Sequence, residues 1–184
     1  IADSIKLCNF LGIKNYTVNI GSAYEALSNE IKSVTNTENT TPQFNTNTPS
    51  RLRMTTLYGI AALDGNARIS CNGNYSERLS GYFTIWGDGA GDFAPLANLF
   101  MDEVVQLGLD LGLPRELCVK PPADGMSGKT DEDNLGFTYE ELKKVATGKE
   151  SEVDVETAKK IKAKLSALDF KRKLLNLPCF EPQR

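Results

Sequence analysis

The 184-residue chain contains no histidine. That excludes Ser-His-Asp and Cys-His nucleophile arrangements, His-ligated metal centres and phosphohistidine relays. It also lacks a basic excess: 21 Lys+Arg against 24 Asp+Glu leave a net charge of −3, whereas a general nucleic-acid binder shows an overall or clustered positive charge. Trp86 and the Phe and Tyr residues are not interleaved with basic residues, which argues against a platform for single-stranded nucleic acid. No apolar run approaches the roughly 20 residues of a membrane span, and no signal-peptide pattern opens the chain. A cytoplasmic protein with no membrane partner is expected. The four cysteines, Cys8, Cys71, Cys118 and Cys179, are widely spaced and form no C-x-x-C. A zinc site would need all four to converge, so buried thiols in a reducing compartment are the better reading. The first residue is Ile1 rather than Met, and the chain is expected to be processed or cut from something longer.

What is present suits one globular domain over residues 1–184, with 40% hydrophobic residues, no internal repeat and no dividing linker. Ile1, Ile5, Cys8 and Leu11 recur at helical spacing, and Gly12 stands where a C-terminal cap belongs. Residues 13–20 (IKNYTVNI) read as a short strand. Ser22-Ala-Tyr-Glu25 has the form of a capping box for a helix carrying Tyr24, Leu27 and Ile31. Strand followed by capped helix is the rhythm of a parallel sheet. Residues 35–49 are polar and low in complexity and read as an exposed flexible loop, with a ligand-ordered flap as the functional alternative. A helix is expected over 51–63, with Leu52, Ile60 and Ala61 on its buried face and Asp64-Gly65 as its stop. Residues 67–71 read as the next strand, and residues 96–111 as a helix ended by Gly112. Thr138-Tyr-Glu-Glu141 forms a second capping box, and Asp154 caps a last helix over about 155–171.

Three stretches carry candidate chemistry. Asn72-Gly-Asn-Tyr-Ser-Glu77 follows a predicted strand, where an open α/β sheet binds anions; a plain Gly-containing turn with a solvated Glu77 is the equal alternative. Gly87-Asp-Gly-Ala-Gly-Asp92 is either a flexible loop or a place where Asp88 and Asp92 meet a hard cation or a substrate. Arg51 or Arg53 could fork onto a phosphate or carboxylate, though a solvated face is the ordinary role of such a pair. The polar stretch 123–134, with Gly125, Gly128 and Lys129 among acids, is long for a compact domain and reads as a flexible lid.

The run from Lys120-Pro-Pro-Ala through Gly125-Met-Ser-Gly-Lys-Thr-Asp-Glu-Asp-Asn-Leu-Gly-Phe-Thr-Tyr139 resembles the bacterial ammonia-dependent NAD synthetases. So do Pro49-Ser-Arg-Leu-Arg-Met54, Gly73-Asn-Tyr-Ser-Glu77 and Gly81-Tyr-Phe-Thr-Ile-Trp-Gly-Asp-Gly-Ala-Gly-Asp92, in the same order and spacing. The resemblance is strong over about 48–148. It implies a doubly wound parallel α/β sheet of the ATP-pyrophosphatase, Rossmann-like type, and a homodimer. It also implies Mg²⁺, ATP as co-substrate, and a reaction in which deamido-NAD is adenylated and then amidated by ammonia. That chemistry rests on metal and cationic charge plus positioning, and requires no histidine.

Position by position, the resemblance gives Glu77 the magnesium and gives deamido-NAD contacts to Arg51, Asp92, Phe170 and Lys171. ATP contacts fall to Asn72, Thr84 and Lys129, with Asp92 and Lys129 as catalytic candidates. Asn72 replaces a Thr that members often have, and it retains hydrogen-bonding capacity. Ile85 and Met101 stand where many members place lysines, and Ala123 where many have Thr or Ser; Lys129 is expected to compensate electrostatically. The family's Ser-Gly-Gly-x-Asp-Ser phosphate loop is absent from these residues. A preceding strand–loop–helix segment is therefore expected to be missing, and the 184 residues alone are expected to be inactive. Two alternatives stand beside this reading: a degenerate, non-catalytic nucleotide-binding module, and a related ATP-pyrophosphatase that amidates another acceptor.

Overall fold

The structure is a computed structural model that describes residues 1–123, 128–174, 180 and 182. Its helices are α1 (Ala2–Leu11), α2 (Gly21–Thr35), α3 (Pro42–Asp64), α4 (Tyr75–Ser80) and α5 (Met101–Asp110). They continue with α6 (Arg115–Cys118), α7 (Asp131–Leu135), α8 (Tyr139–Ala146), α9 (Val155–Ala167) and α10 (Asp169–Leu174). The chain divides into two compact units, one of Ile1–Thr17 with Leu99–Lys164, the other of Val18–Asn98 with Leu165–Arg184.

The first unit follows its local signals closely. Gly12 ends α1 in the left-handed region at φ 65°, which glycine enters without steric cost. Thr138 and Glu141 form the reciprocal capping box that starts α8. The Asp154 carboxylate accepts the N–H groups of Glu156 and Thr157 at 3.1 and 3.0 Å at the start of α9. These bonds hold the Asp154 carboxyl below the usual carboxylate range. The last helix expected from the sequence is instead two, because α9 stops at Ala167 and α10 starts at Asp169. Phe100, Leu135, Phe137, Tyr139, Leu142, Val153, Ala158 and Ile161 are the buried apolar side chains here. The Lys143 ammonium lies 4.9 Å from the centre of the Phe100 ring. Truncating Phe100, which is 1% exposed, should cost about 3–5 kcal/mol in urea unfolding, because the emptied volume cannot fully collapse.

The second unit departs from expectation in three places. Helix α2 begins at Gly21, whose N–H is taken by Asn19 Oδ1 at 2.8 Å, so Ser22 lies inside the helix and forms no capping box. Helix α3 starts at Pro42 rather than Arg51, capped by the Thr41 hydroxyl, and absorbs much of the expected 35–49 loop. Pro49 sits inside it although it can offer no N–H and crowds the preceding turn. Contacts of the same unit hold this stretch helical. Asn45 accepts from the Tyr24 hydroxyl at 3.1 Å, Phe44 lies 6.3 Å from the Tyr24 ring, and Asn47 and Ser50 are bonded as described below.

The third departure concerns the sheet. Among the described residues no named strand is present, and residues 13–20 are irregular. Residues 67–71 keep one parallel bridge, Ser70 with Phe93. It is closed by Cys71 N–H to the Phe93 carbonyl at 2.8 Å and Asp92 N–H to the Ile69 carbonyl at 2.7 Å. β-branched content favours a strand only where a neighbour takes the ladder bonds. Of the expected lid, residues 124–127 lie outside the described residues, and Asp131–Leu135 is a capped helical turn.

Candidate active site

The second unit buries mainly polar side chains: Ser28, Ser50, Asn74, Ser76, Ser80 and Thr84. Buried polar groups are costly unless bonded, and those near the Gly-rich loop are bonded to one another. The Asp88 carboxylate accepts the Ser50 hydroxyl at 2.7 Å and the Thr84 N–H at 3.0 Å. The Asp88 N–H returns to the Ser50 oxygen at 3.1 Å, and the Thr84 hydroxyl donates to Asn47 Oδ1 at 2.9 Å. Asp88 thus fastens loop 84–92 to α3. The Thr84 hydroxyl is buried and bonded, whereas Asp88 remains exposed while it makes these bonds. Asn47 and Ser50 were missed by sequence reasoning; only the position of Ser50 beside Arg51 hinted at them.

Several candidate residues of this unit are bonded within it. Arg51 is exposed one position after Ser50, and its Nε donates to the Ile85 carbonyl at 3.1 Å. Asp92 takes the Ile69 N–H on Oδ2 at 2.7 Å, and the Tyr58 hydroxyl lies 3.5 Å from its other oxygen. Burial, with the Asp92 charge second, raises the Tyr58 phenol above its ordinary value. Asn72 accepts the Ser70 hydroxyl at 2.7 Å. Cys71 is buried beside them, and burial raises its thiol while the Gly73 N–H opposes that in part. Cys8, Cys71 and Cys118 are free thiols, and Cys179 lies outside the described residues.

Glu77 closes a capping box at the start of α4. Its Oε2 accepts the Asn74 N–H at 2.8 Å, and the Asn74 side chain accepts the Glu77 N–H at 3.0 Å. Among the described residues no group of three or more acidic or thiol side chains gathers as a metal cage. That donor set fits Mg²⁺ only in its usual enzymic form, one or two carboxylates with substrate phosphate and water completing the shell. Lys171 donates to the carbonyls of Gly81 at 2.8 Å and Phe83 at 2.6 Å, and Arg172 to that of Leu79 at 2.8 Å. These two cations tie α10 to the 79–83 segment, while the neighbouring Phe170 is exposed. Lys129 is exposed in the other unit. Ile85 is half-buried, and Met101 opens α5.

The family model for NAD synthase matches residues 1–175. The chain belongs to the NAD synthase family. An NH(3)-dependent NAD(+) synthetase of Carboxydothermus hydrogenoformans is 40% identical over 76% of this chain. The chain spans 57% of that relative's length. Among solved structures, an NMN synthetase from Francisella tularensis aligns with a TM-score of 0.84 and 36% identity, over 97% of this chain and 72% of that one. An NH3-dependent NAD synthetase from Campylobacter jejuni aligns with a TM-score of 0.71 and 28% identity, over 100% and 70%. Among the described residues no helix is long and apolar enough to cross a membrane.

Proposed function

We propose that this member of the NAD synthase family amidates the carboxylate of deamido-NAD with ammonia at the expense of ATP. The observation that carries the reading is the family match over residues 1–175; the resemblance that assigns Arg51, Glu77 and Asp92 to the substrates and metal supports it. A carboxylate oxygen of the acceptor attacks the α-phosphorus of ATP, and pyrophosphate leaves. Ammonia then adds at the activated carbonyl carbon, loses a proton, and expels AMP. Mg²⁺ would neutralise phosphate charge, with Glu77 as its protein ligand. Arg51, Asp92, Phe170 and Lys171 are assigned to the acceptor, and Asn72 to ATP. Lys129 carries phosphate charge, and Thr84 serves by holding the loop. The wider setting proposed is a homodimer in the cytoplasm with a doubly wound parallel sheet, the free thiols fitting a reducing compartment.

A second acceptor, nicotinate mononucleotide, is favoured by one finding, the likeness to the Francisella protein named for NMN synthesis. Incubating the full-length protein that contains these 184 residues with Mg-ATP, ammonium and either acceptor, and following AMP with the amidated product, tests both. Equimolar NAD and AMP from deamido-NAD is the expected result. Product from the mononucleotide alone would move the assignment to that acceptor. Nucleotide binding without AMP release would leave a non-catalytic module.

A further inference from the structure

Trp86 is the only tryptophan in the sequence, and its backbone is left-handed at φ 60°. A bulky side chain in that region clashes with its own backbone, so such residues persist only where their surroundings over-determine them. The surroundings here do so. The Thr84 carbonyl accepts the N–H groups of Gly87 and Gly89 at 3.0 and 3.2 Å. Arg51 holds the Ile85 carbonyl, and the Asp88 carboxylate anchors both Thr84 and Ser50. Gly87 lies so close to α3 that an added Cβ would stand 2.4 Å from the Ser50 oxygen. The turn cannot relax by retreating into the protein, yet the indole it carries is 55% exposed. A strained backbone that displays a large aromatic face in water, beside a tethered guanidinium, is a costly arrangement for folding alone.

We infer that Trp86 is the stacking face for the pyridinium ring of the nicotinate nucleotide, with Arg51 meeting that ring's carboxylate. The inference rests on the amidation reading above and goes beyond it by naming a specificity determinant. The chemistry of the two side chains selects the ring. The indole face is the most electron-rich aromatic surface a protein offers and favours a cationic ring. A guanidinium favours a carboxylate through paired, charge-assisted hydrogen bonds. An N-ribosylated nicotinate carries both charges on one small plane, whereas adenine carries neither. Ile85, between the two elements in the bonded chain, adds no competing charge.

Because Trp86 is the single tryptophan, its fluorescence reports on this position alone. Titrating the purified protein with nicotinate mononucleotide should quench that emission, while AMP at the same concentrations should not. By calorimetry, Trp86→Gly should bind nicotinate mononucleotide about ten- to a hundredfold more weakly and Trp86→Phe only a few-fold more weakly, with AMP binding unchanged. The melting temperature of Trp86→Gly should equal or exceed that of the parent, since glycine accepts a positive φ; this separates lost stacking from lost folding. Unchanged affinity in Trp86→Gly, in a protein whose wild type amidates a nicotinate nucleotide, would overturn the stacking role and leave the amidation reading intact. A wild type that neither binds nor amidates any nicotinate nucleotide would overturn both. Equal quenching by AMP would overturn the choice of ring.

Discussion

Replacing Gly91 with alanine should sharply lower the melting temperature. A Cβ at Gly91 would stand 2.6 Å from the Cys71 nitrogen, 2.8 Å from its Cβ and 3.1 Å from its Cα. These are mostly backbone atoms, which cannot rotate aside as a flexible side chain would. The same few residues carry the Cys71-to-Phe93 and Asp92-to-Ile69 backbone bonds and the Ile69 N–H bond to the Asp92 carboxylate. Overpacking costs about 1–3 kcal/mol, and each of two displaced backbone bonds adds about 1 kcal/mol. The sum, roughly 3–5 kcal/mol, corresponds to a fall on the order of 10 °C for a chain of this size. Gly59 supplies the control: nothing lies within 4 Å of a Cβ there, and it sits inside α3. Gly59→Ala should raise stability by about 0.5–1 kcal/mol. Differential scanning calorimetry on the two variants measures the contrast. Equal melting temperatures would show that the 69–71 and 91–93 segments are not in contact in solution.

The contrast between these glycines also marks which features were legible in the sequence. Gly12, Gly65, the Thr138 box and the Asp154 cap were all readable, because each signal and its effect lie within four residues. The start of α3 was not. Its first turns are built from Thr, Asn and Pro, which favour turns and caps in isolation. Their helical form depends on contacts such as Asn47 to Thr84, across 37 residues. The role of Asp88 was hidden for the same reason. A carboxylate between glycines looks like a metal or substrate ligand until Ser50, 38 residues away, is seen to occupy it. Nor can a single-sequence pattern indicate that Trp86 is left-handed, since local preference argues against it. The resemblance proposes roles for Arg51, Glu77 and Asp92, yet it does not indicate their partners in the structure, the Ile85 carbonyl, the Asn74 N–H and the Ile69 N–H. Of the expected parallel sheet, the described residues carry the single Ser70–Phe93 bridge, because strand content was inferred one segment at a time and a ladder needs two.

Glu77→Gln should separate two duties that sequence and structure assign to one side chain. In the structure Glu77 caps α4 by accepting the Asn74 N–H; in the proposed reaction it ligates Mg²⁺. A glutamine at this third helical position still presents an oxygen to the same N–H, so the capping box survives the change. It does not present a charge, and a neutral amide is a poor ligand for a hard, strongly hydrated cation. The variant should therefore melt within about 2 °C of the parent, as surface-type changes that keep their hydrogen bonds do. If the metal contributes roughly 3 kcal/mol of transition-state charge stabilisation, kcat/KM should fall on the order of a hundredfold. The Mg²⁺ concentration for half-maximal rate should rise in the same variant. Glu77→Ala should lose the rate and, with its cap gone, about 1 kcal/mol of stability as well. The diagnostic result is the split between them: rate lost in both, stability lost only in the alanine. Parental turnover and Mg²⁺ dependence in Glu77→Gln would confine Glu77 to the cap and require the metal to be held elsewhere.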